Sequence, residues 1–165
     1  MGVFPLNLSA ATTVYVIGIS KDSDAISTLR NLHTSVTDRD VREQIIFAAS
    51  INQYKDAAVN FLIDLAGKDN ERESRKKAIF WLGQKAGERS LNALKDTIDS
   101  SDADTEVQKQ AAFAISQRPK DESVPLLIKI AKTHANPAVR KQAIFWLGQT
   151  GDDRAVDLFK EILLK

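Results

Sequence analysis

The sequence predicts an all-α fold, a right-handed α-solenoid of about five helix pairs or ten helices. Three observations support this prediction. A ten-residue segment recurs almost unchanged, small residues return at a fixed interval, and apolar residues within each unit follow helical spacing. The 165 residues include only 7 Gly and 4 Pro, which favours long helices over a turn-rich sheet protein.

The clearest repeat is RKKAIFWLGQ at 75–84, which returns as RKQAIFWLGQ at 140–149. Halving this interval reveals weaker copies, because a small residue recurs every 32 or 33 positions. A constant period along the chain indicates a repeat architecture, in which each unit buries its apolar face against its neighbours. The small residues are Gly18, Ser50, Gly83, Ser116 and Gly148.

Each unit is predicted to contain two helices. First helices are expected at about 9–20, 39–51, 72–84, 105–117 and 137–149, and a second helix follows each, as at 89–98. The segment 9–20 contains TTVYVIGI, whose β-branched residues also suit a strand, but its alignment with four helical copies favours helix. A single array is expected over 9–165, with units ending near 33, 66, 99, 132 and 165 and residues 1–8 as an irregular lead-in.

A shared motif runs through the first helices. It is represented by Asp38, Val41 and Arg42; by Arg75, Ala78, Leu82 and Gly83; by Asp104, Val107, Ala111 and Ala112; and by Val139, Arg140, Ala143, Leu147 and Gly148. These units resemble HEAT-like repeats of the phycobilisome-lyase type, with departures at Ser74, Gln108 and Asn136. The resemblance implies an α-solenoid whose Val-Arg helices line the concave side, in a family composed mostly of scaffolds with scattered enzymes.

Composition argues against several kinds of site. Lys and Arg number 23 and Asp and Glu 22, so the net charge gives no general attraction to nucleic acid or anionic membranes. With no Cys and 2 His, we expect no metal, no cofactor and no catalytic set; His33 and His134 are expected to be exposed loop residues. No signal peptide or membrane segment is recognised, so the cytoplasm is the default location, with secretion open if the chain comes from a longer protein.

Packing within a helix pair does not explain one position of the first helices, which is always aromatic. On a helical wheel for 105–117, Phe113 falls almost opposite the core residues, yet this position is aromatic in every unit. A contiguous exposed apolar patch usually marks an interface. We therefore define three rows on the predicted concave groove: the aromatic ladder (Tyr15, Phe47, Phe80, Phe113, Phe145), the Lys row four residues earlier (Lys76, Lys109, Lys141) and the Gln row four residues later (Gln84, Gln117, Gln149).

Two interpretations of the aromatic ladder are open. The rings either form a binding surface or span the gap between parallel helices and pack on one another. Trp81 and Trp146 stand nearer the core and are expected to pack between repeats.

Three functions are compared on this basis. The leading prediction is a non-enzymatic scaffold that binds a protein or peptide segment, favouring an acidic one because of the Lys row. Nucleic-acid binding is disfavoured by acidic residues on the same helices, although aromatic rings can stack on bases. Nothing in the sequence favours a lyase-like or other enzyme subunit. The apolar last helix also predicts end-to-end self-association or a longer parent chain.

The substitution Phe113→Ala separates the two interpretations of the ladder. A surface ring should cost no more than roughly 0.5 kcal/mol of stability on truncation, while partner binding weakens by roughly 1–3 kcal/mol. A fully packed ring should instead cost roughly 3–5 kcal/mol of stability. A melting curve on this variant measures which of the two applies.

Overall fold

The computed structural model describes residues 24–53, 55–101 and 103–164. This part of the chain consists of nine α-helices and contains no strand, so the all-α prediction is confirmed. The predicted helix at 9–20, the lead-in 1–8 and Tyr15 lie outside the described residues. The helices are α1 (Ala25–Ser35), α2 (Arg39–Ile51), α3 (Lys55–Lys68), α4 (Arg72–Gln84), α5 (Glu88–Asp99), α6 (Thr105–Ser116), α7 (Lys120–Thr133), α8 (Pro137–Thr150) and α9 (Asp153–Leu163).

Polar side chains begin several of these helices at the positions that the sequence indicates. Asp38 accepts a hydrogen bond from the Val41 N–H at 3.0 Å, and Asp104 accepts one from the Glu106 N–H at 2.8 Å. Such bonds satisfy amide groups that have no partner within the first turn. Asn136 caps α8 in the same way, and Pro137 follows it at the first helical position, where its missing N–H costs nothing.

The last helix, α9, is capped by a carboxylate that also holds a cation. Asp152 accepts from the Arg154 N–H at 3.0 Å and from the Arg154 Nε at 2.8 Å. The hydrogen bond with the guanidinium lowers the pKa of the Asp152 carboxyl to about 2. Arg154 Nη2 also donates to the Lys120 carbonyl at 3.3 Å, which connects the start of α9 to the start of α7.

The described chain divides into two compact units, one ending at Leu62 and one beginning at Ile63. In the first unit, α1 packs against α2 around buried Leu29, Ile45 and Ile46. The expectation of an exposed His33 is wrong, because this side chain is only 2% exposed and its ring meets Phe61 edge-on, with centroids 6.0 Å apart. The imidazole packs among apolar side chains at the end of α1, and this packing buries it.

In the second unit, the helices alternate between two rows. Helices α4, α6 and α8 pack side by side in order, α5 contacts α4 and α6, α7 contacts α6 and α8, and α9 contacts α7 and α8. This is the packing expected for a HEAT-like α-solenoid. Its core includes Leu82, Leu94, Ile115, Leu127 and Leu147, all fully buried. None of the described helices is both long enough and apolar enough to span a membrane.

The arginine of the Val-Arg motif fastens each helix to the loop before it. The Arg75 Nη1 donates to the Asp69 carbonyl at 2.7 Å, and the Arg140 Nη1 donates to the His134 carbonyl at 2.7 Å. In the first unit, the Arg42 Nη1 donates to the Val36 carbonyl at 3.3 Å. The guanidinium thus satisfies loop carbonyls, which fits a structural role for these arginines.

Gln108 stands in the arginine position of α6, and it bonds the loop before its helix in the same way. The Gln108 amide donates to the carbonyls of Ile98 at 3.1 Å and Ser100 at 2.9 Å. The Nε2 of His134 lies 3.0 Å from the same Ile98 carbonyl, while its Nδ1 accepts from the Asn136 N–H at 3.0 Å. Because a backbone N–H can only donate, Nδ1 is unprotonated and Nε2–H is the donor. His134 is half-buried, and its side chain is hydrogen-bonded to the end of α5. The expectation of an exposed loop residue is therefore wrong.

A buried arginine connects two successive turns of the second unit. Arg118 follows α6, and its side chain is 2% exposed. Its Nη1 donates to the Lys85 carbonyl at 2.7 Å, its Nη2 to the Gly87 carbonyl at 3.2 Å, and its Nε to Glu122 at 2.8 Å. The charge is thus paired and hydrogen-bonded, as burial requires.

Gly83 allows the closest approach between adjacent helices. A Cβ placed on Gly83 would lie 2.9 Å from both the Cβ and the carbonyl oxygen of Ala114, so α4 and α6 touch at this point. Gly148 occupies the matching position in α8, where a Cβ would have Phe159 Cζ as its nearest neighbour, at 4.0 Å. The same sequence position therefore has two different environments.

The pair provides a matched test of the helix contact. Gly83→Ala is expected to destabilise the protein by about 1–3 kcal/mol, because the new methyl group meets the backbone of α6. Gly148→Ala is expected to stabilise it by up to about 1 kcal/mol, through higher helix propensity without a clash. Urea unfolding followed by circular dichroism measures both, and equal effects would contradict the close contact.

Candidate functional site

The described members of the aromatic ladder lie at equivalent positions of successive first helices. Phe80, Phe113 and Phe145 project from α4, α6 and α8 in the second unit, and Phe47 lies on α2 in the first. Phe47, Phe80 and Phe113 are half-buried, whereas Phe145 is 53% exposed.

The rings of the second unit form a continuous aromatic cluster. Phe80 and Phe113 are nearly parallel, at an interplanar angle of 12° and a centroid distance of 6.3 Å. The ring centroids of Phe113 and Trp146 are 4.9 Å apart. Phe145 meets Trp146 edge-on, also with a centroid distance of 4.9 Å. These contacts join α4, α6 and α8, yet the three Phe rings keep solvent-accessible surface. Inter-repeat packing and exposure are therefore both properties of the same side chains.

The two tryptophans belong to the same aromatic cluster. Trp81 and Trp146 are half-buried, and each contacts the phenylalanine before it edge-on. Trp146 also touches Phe113, which belongs to the preceding repeat. Aromatic pairs in such arrangements add about 0.5–1.5 kcal/mol beyond their burial. Trp146 thus bridges two repeats within the cluster.

Most of the Lys row is neutralised within its own helices. The Lys76 Nζ lies 3.2 Å from Glu73 Oε2, and the Lys109 Nζ lies 2.9 Å from Glu106 Oε1. Lys141 is exposed, and the matching position three residues before it is Ala138. The row therefore concentrates its uncompensated positive charge at Lys141. The i, i+3 spacing of Glu and Lys in the sequence already carries this signal, because such residues are neighbours on a helix.

The Gln row is exposed along its full length. Gln84, Gln117 and Gln149 lie near the carboxyl ends of α4, α6 and α8 and are all solvent-accessible. The Gln117 Nε2 lies 3.2 Å from Ser116 Oγ. Each amide offers donors and an acceptor, the groups that pair with a peptide backbone. Among the residues that the structure describes, no cluster of three or more His, Asp or Glu could hold a metal ion.

Comparison with known proteins agrees with this architecture. The family model of HEAT repeats matches residues 91–165. Over this part of the chain, the match and the helix packing support the HEAT-like repeat fold that the sequence motif predicts. No functionally curated protein matches the sequence. HEAT repeats form helical scaffolds that are commonly used for protein interaction, and they are typically non-catalytic.

Two alanine substitutions measure how far the ladder contributes to packing. Phe113→Ala is expected to cost about 2 kcal/mol of stability, less than a fully buried Phe, because its ring is half-buried between Phe80 and Trp146. Phe145→Ala is expected to cost about 0.5 kcal/mol or less, since its ring is largely exposed. Urea unfolding gives both values. Equal losses for the two variants would contradict the graded burial.

Proposed function

We propose that the chain is a non-enzymatic scaffold that binds a peptide or protein segment in a concave groove along the aromatic ladder. The observation that carries this proposal is the aromatic cluster across α4, α6 and α8, whose rings are held by neighbours and partly exposed. Aromatic anchors contribute disproportionately to binding energy at protein interfaces. Rings that are already fixed lose little conformational entropy on binding, which favours affinity.

The spacing of the rings suits an extended segment. The centroids of Phe80 and Phe113 are 6.3 Å apart, close to the roughly 6.6 Å between side chains on one face of a β-strand. The exposed Gln row favours an extended chain over a helix, because only the extended chain has backbone N–H and C=O groups free to bond. We therefore propose a partner segment with an apolar side chain at every second position.

The charges along the groove indicate which charge the partner segment should carry, and where. Lys76 and Lys109 already pair with glutamates, so they offer little to an acidic partner. An acidic residue of the partner is best accommodated beside Lys141, next to the exposed Phe145. We propose a mainly apolar segment with acidic character at that end, which narrows the prediction of an acidic partner.

Several cations on the first helices that could contact phosphates are engaged within the protein. Arg75 and Arg140 donate to loop carbonyls, and Lys76 and Lys109 form ion pairs. Phosphate contacts would compete with these interactions, so nucleic-acid binding stays the less favoured alternative. An enzyme-subunit role has no specific observation in its favour. Apolar side chains at the end of α9 support end-to-end self-association as a further proposal, since Leu163 is 82% exposed and Leu164 85% exposed.

Peptide selection tests the groove directly. Random peptides are selected on the intact protein by phage display, and their Kd values are measured by fluorescence polarisation. Phe145→Ala is expected to weaken binding by about 1–3 kcal/mol, as truncation of an interface anchor does. Val156→Ala is the matched control, because Val156 is a comparably exposed apolar side chain on α9, at 45% exposure.

Three results would count against the proposal. Selected peptides could bind the Phe145→Ala variant as tightly as the wild type, or lose affinity equally with Val156→Ala. Retention on single-stranded DNA with a steep salt dependence would favour the nucleic-acid alternative instead. The stability of each variant is checked by urea unfolding, so that a loss of fold is not mistaken for a loss of contact.

A further inference from the structure

A second candidate site lies away from the three rows. A cavity of about 570 Å³ is bordered by α5, α6, α7 and the loops that follow α5 and α7. No residue of the aromatic ladder, the Lys row or the Gln row lines it. Ligand pockets have volumes of roughly 300–1,000 Å³ and mostly apolar walls. Leu126, which is half-buried, and Ile130, which is 6% exposed, supply apolar surface here.

The repeat motif supplies no arginine to this cavity. A related cavity of about 490 Å³ lies one repeat earlier, and Arg75 of the Val-Arg motif lines it. In the later cavity the matching residue is Gln108, which is shorter and uncharged. Its amide is turned toward the carbonyls of Ile98 and Ser100. This repeat therefore has no fixed guanidinium beside the apolar walls.

Charged groups surround the cavity unequally. Lys95 and Lys129 contribute two positive charges and Asp99 one negative charge, an excess of one positive charge. Lys129 is exposed, and within the described ranges it takes part in no ion pair. A single anionic group would balance this excess.

We propose that this cavity binds a small molecule with an apolar body and one carboxylate. The apolar body lies against Leu126, Ile130 and the aliphatic parts of Lys95 and Lys129, and the carboxylate is held by the ammonium groups of the two lysines. Burial of the apolar body contributes roughly 25 cal/mol for each Å² removed from water, and the ammonium groups select for the anion. This site is independent of the peptide groove proposed above.

Octanoate is the probe for this class of ligand, and 1-octanol is its uncharged analogue. The chain has only 2 His, so the imidazole resonances of the intact protein report the binding by NMR. Octanoate is expected to shift the His134 resonances saturably and to leave His33 unchanged, because only His134 lines the cavity. Octanol is expected to bind at least about fivefold more weakly, since it forgoes the charge interaction.

Two variants locate the binding. Lys129→Glu reverses one charge at the mouth and is expected to weaken octanoate at least about fivefold while sparing octanol. Lys120→Glu makes the same charge change on the same helix outside the lining and should have no effect.

The experiment can contradict the proposal in three ways. It is overturned if octanoate gives no saturable His134 shift, if octanol binds as tightly as octanoate, or if Lys120→Glu weakens octanoate as much as Lys129→Glu.

Discussion

Close side-by-side packing of α4, α6 and α8 is the constraint from which the rest of the second unit follows. Gly83 permits it, because the backbone of α4 meets Ala114 of α6 where any larger residue would clash. Helices that approach so closely bring the residues at neighbouring positions within contact distance. The parallel rings of Phe80 and Phe113 are the direct consequence. A wider helix spacing would separate these rings and leave no continuous surface.

The aromatic ladder serves two purposes that usually conflict. A ring that stabilises the fold is normally buried, and a ring that binds a partner must be exposed. Here Phe80, Phe113 and Phe145 each contact a neighbouring ring and still keep solvent-accessible surface. Phe113 lies between two rings and is half-buried, whereas Phe145 at one end of the row is 53% exposed. The contributions of the rings to stability and to binding can therefore be separated by position, because the Phe145 ring at the end of the row is the most exposed.

The period of the sequence predicts the helices well, and the reason is physical. A repeat unit must bury the same face against its neighbours each time, so the apolar and small residues return in register. The bounds of α2 and α4 match the expected 39–51 and 72–84. The period could not predict contacts that depend on departures from it. His134 reaches the end of α5 through space, 36 residues from Ile98 in sequence, and nothing in its local sequence indicates this partner.

Gln108 illustrates the same point at the level of a site. By sequence it is a mismatch in a motif, a neutral residue where other repeats carry arginine. In the structure it keeps the task of that arginine, since its amide still satisfies loop carbonyls. Its shorter side chain performs this task without placing a charge beside the neighbouring apolar walls. A repeat protein tolerates such a change because each unit is stabilised mainly by its nearest neighbours. Departures that preserve the structural bond while altering the local charge are therefore the positions at which one repeat can acquire a property that the others lack.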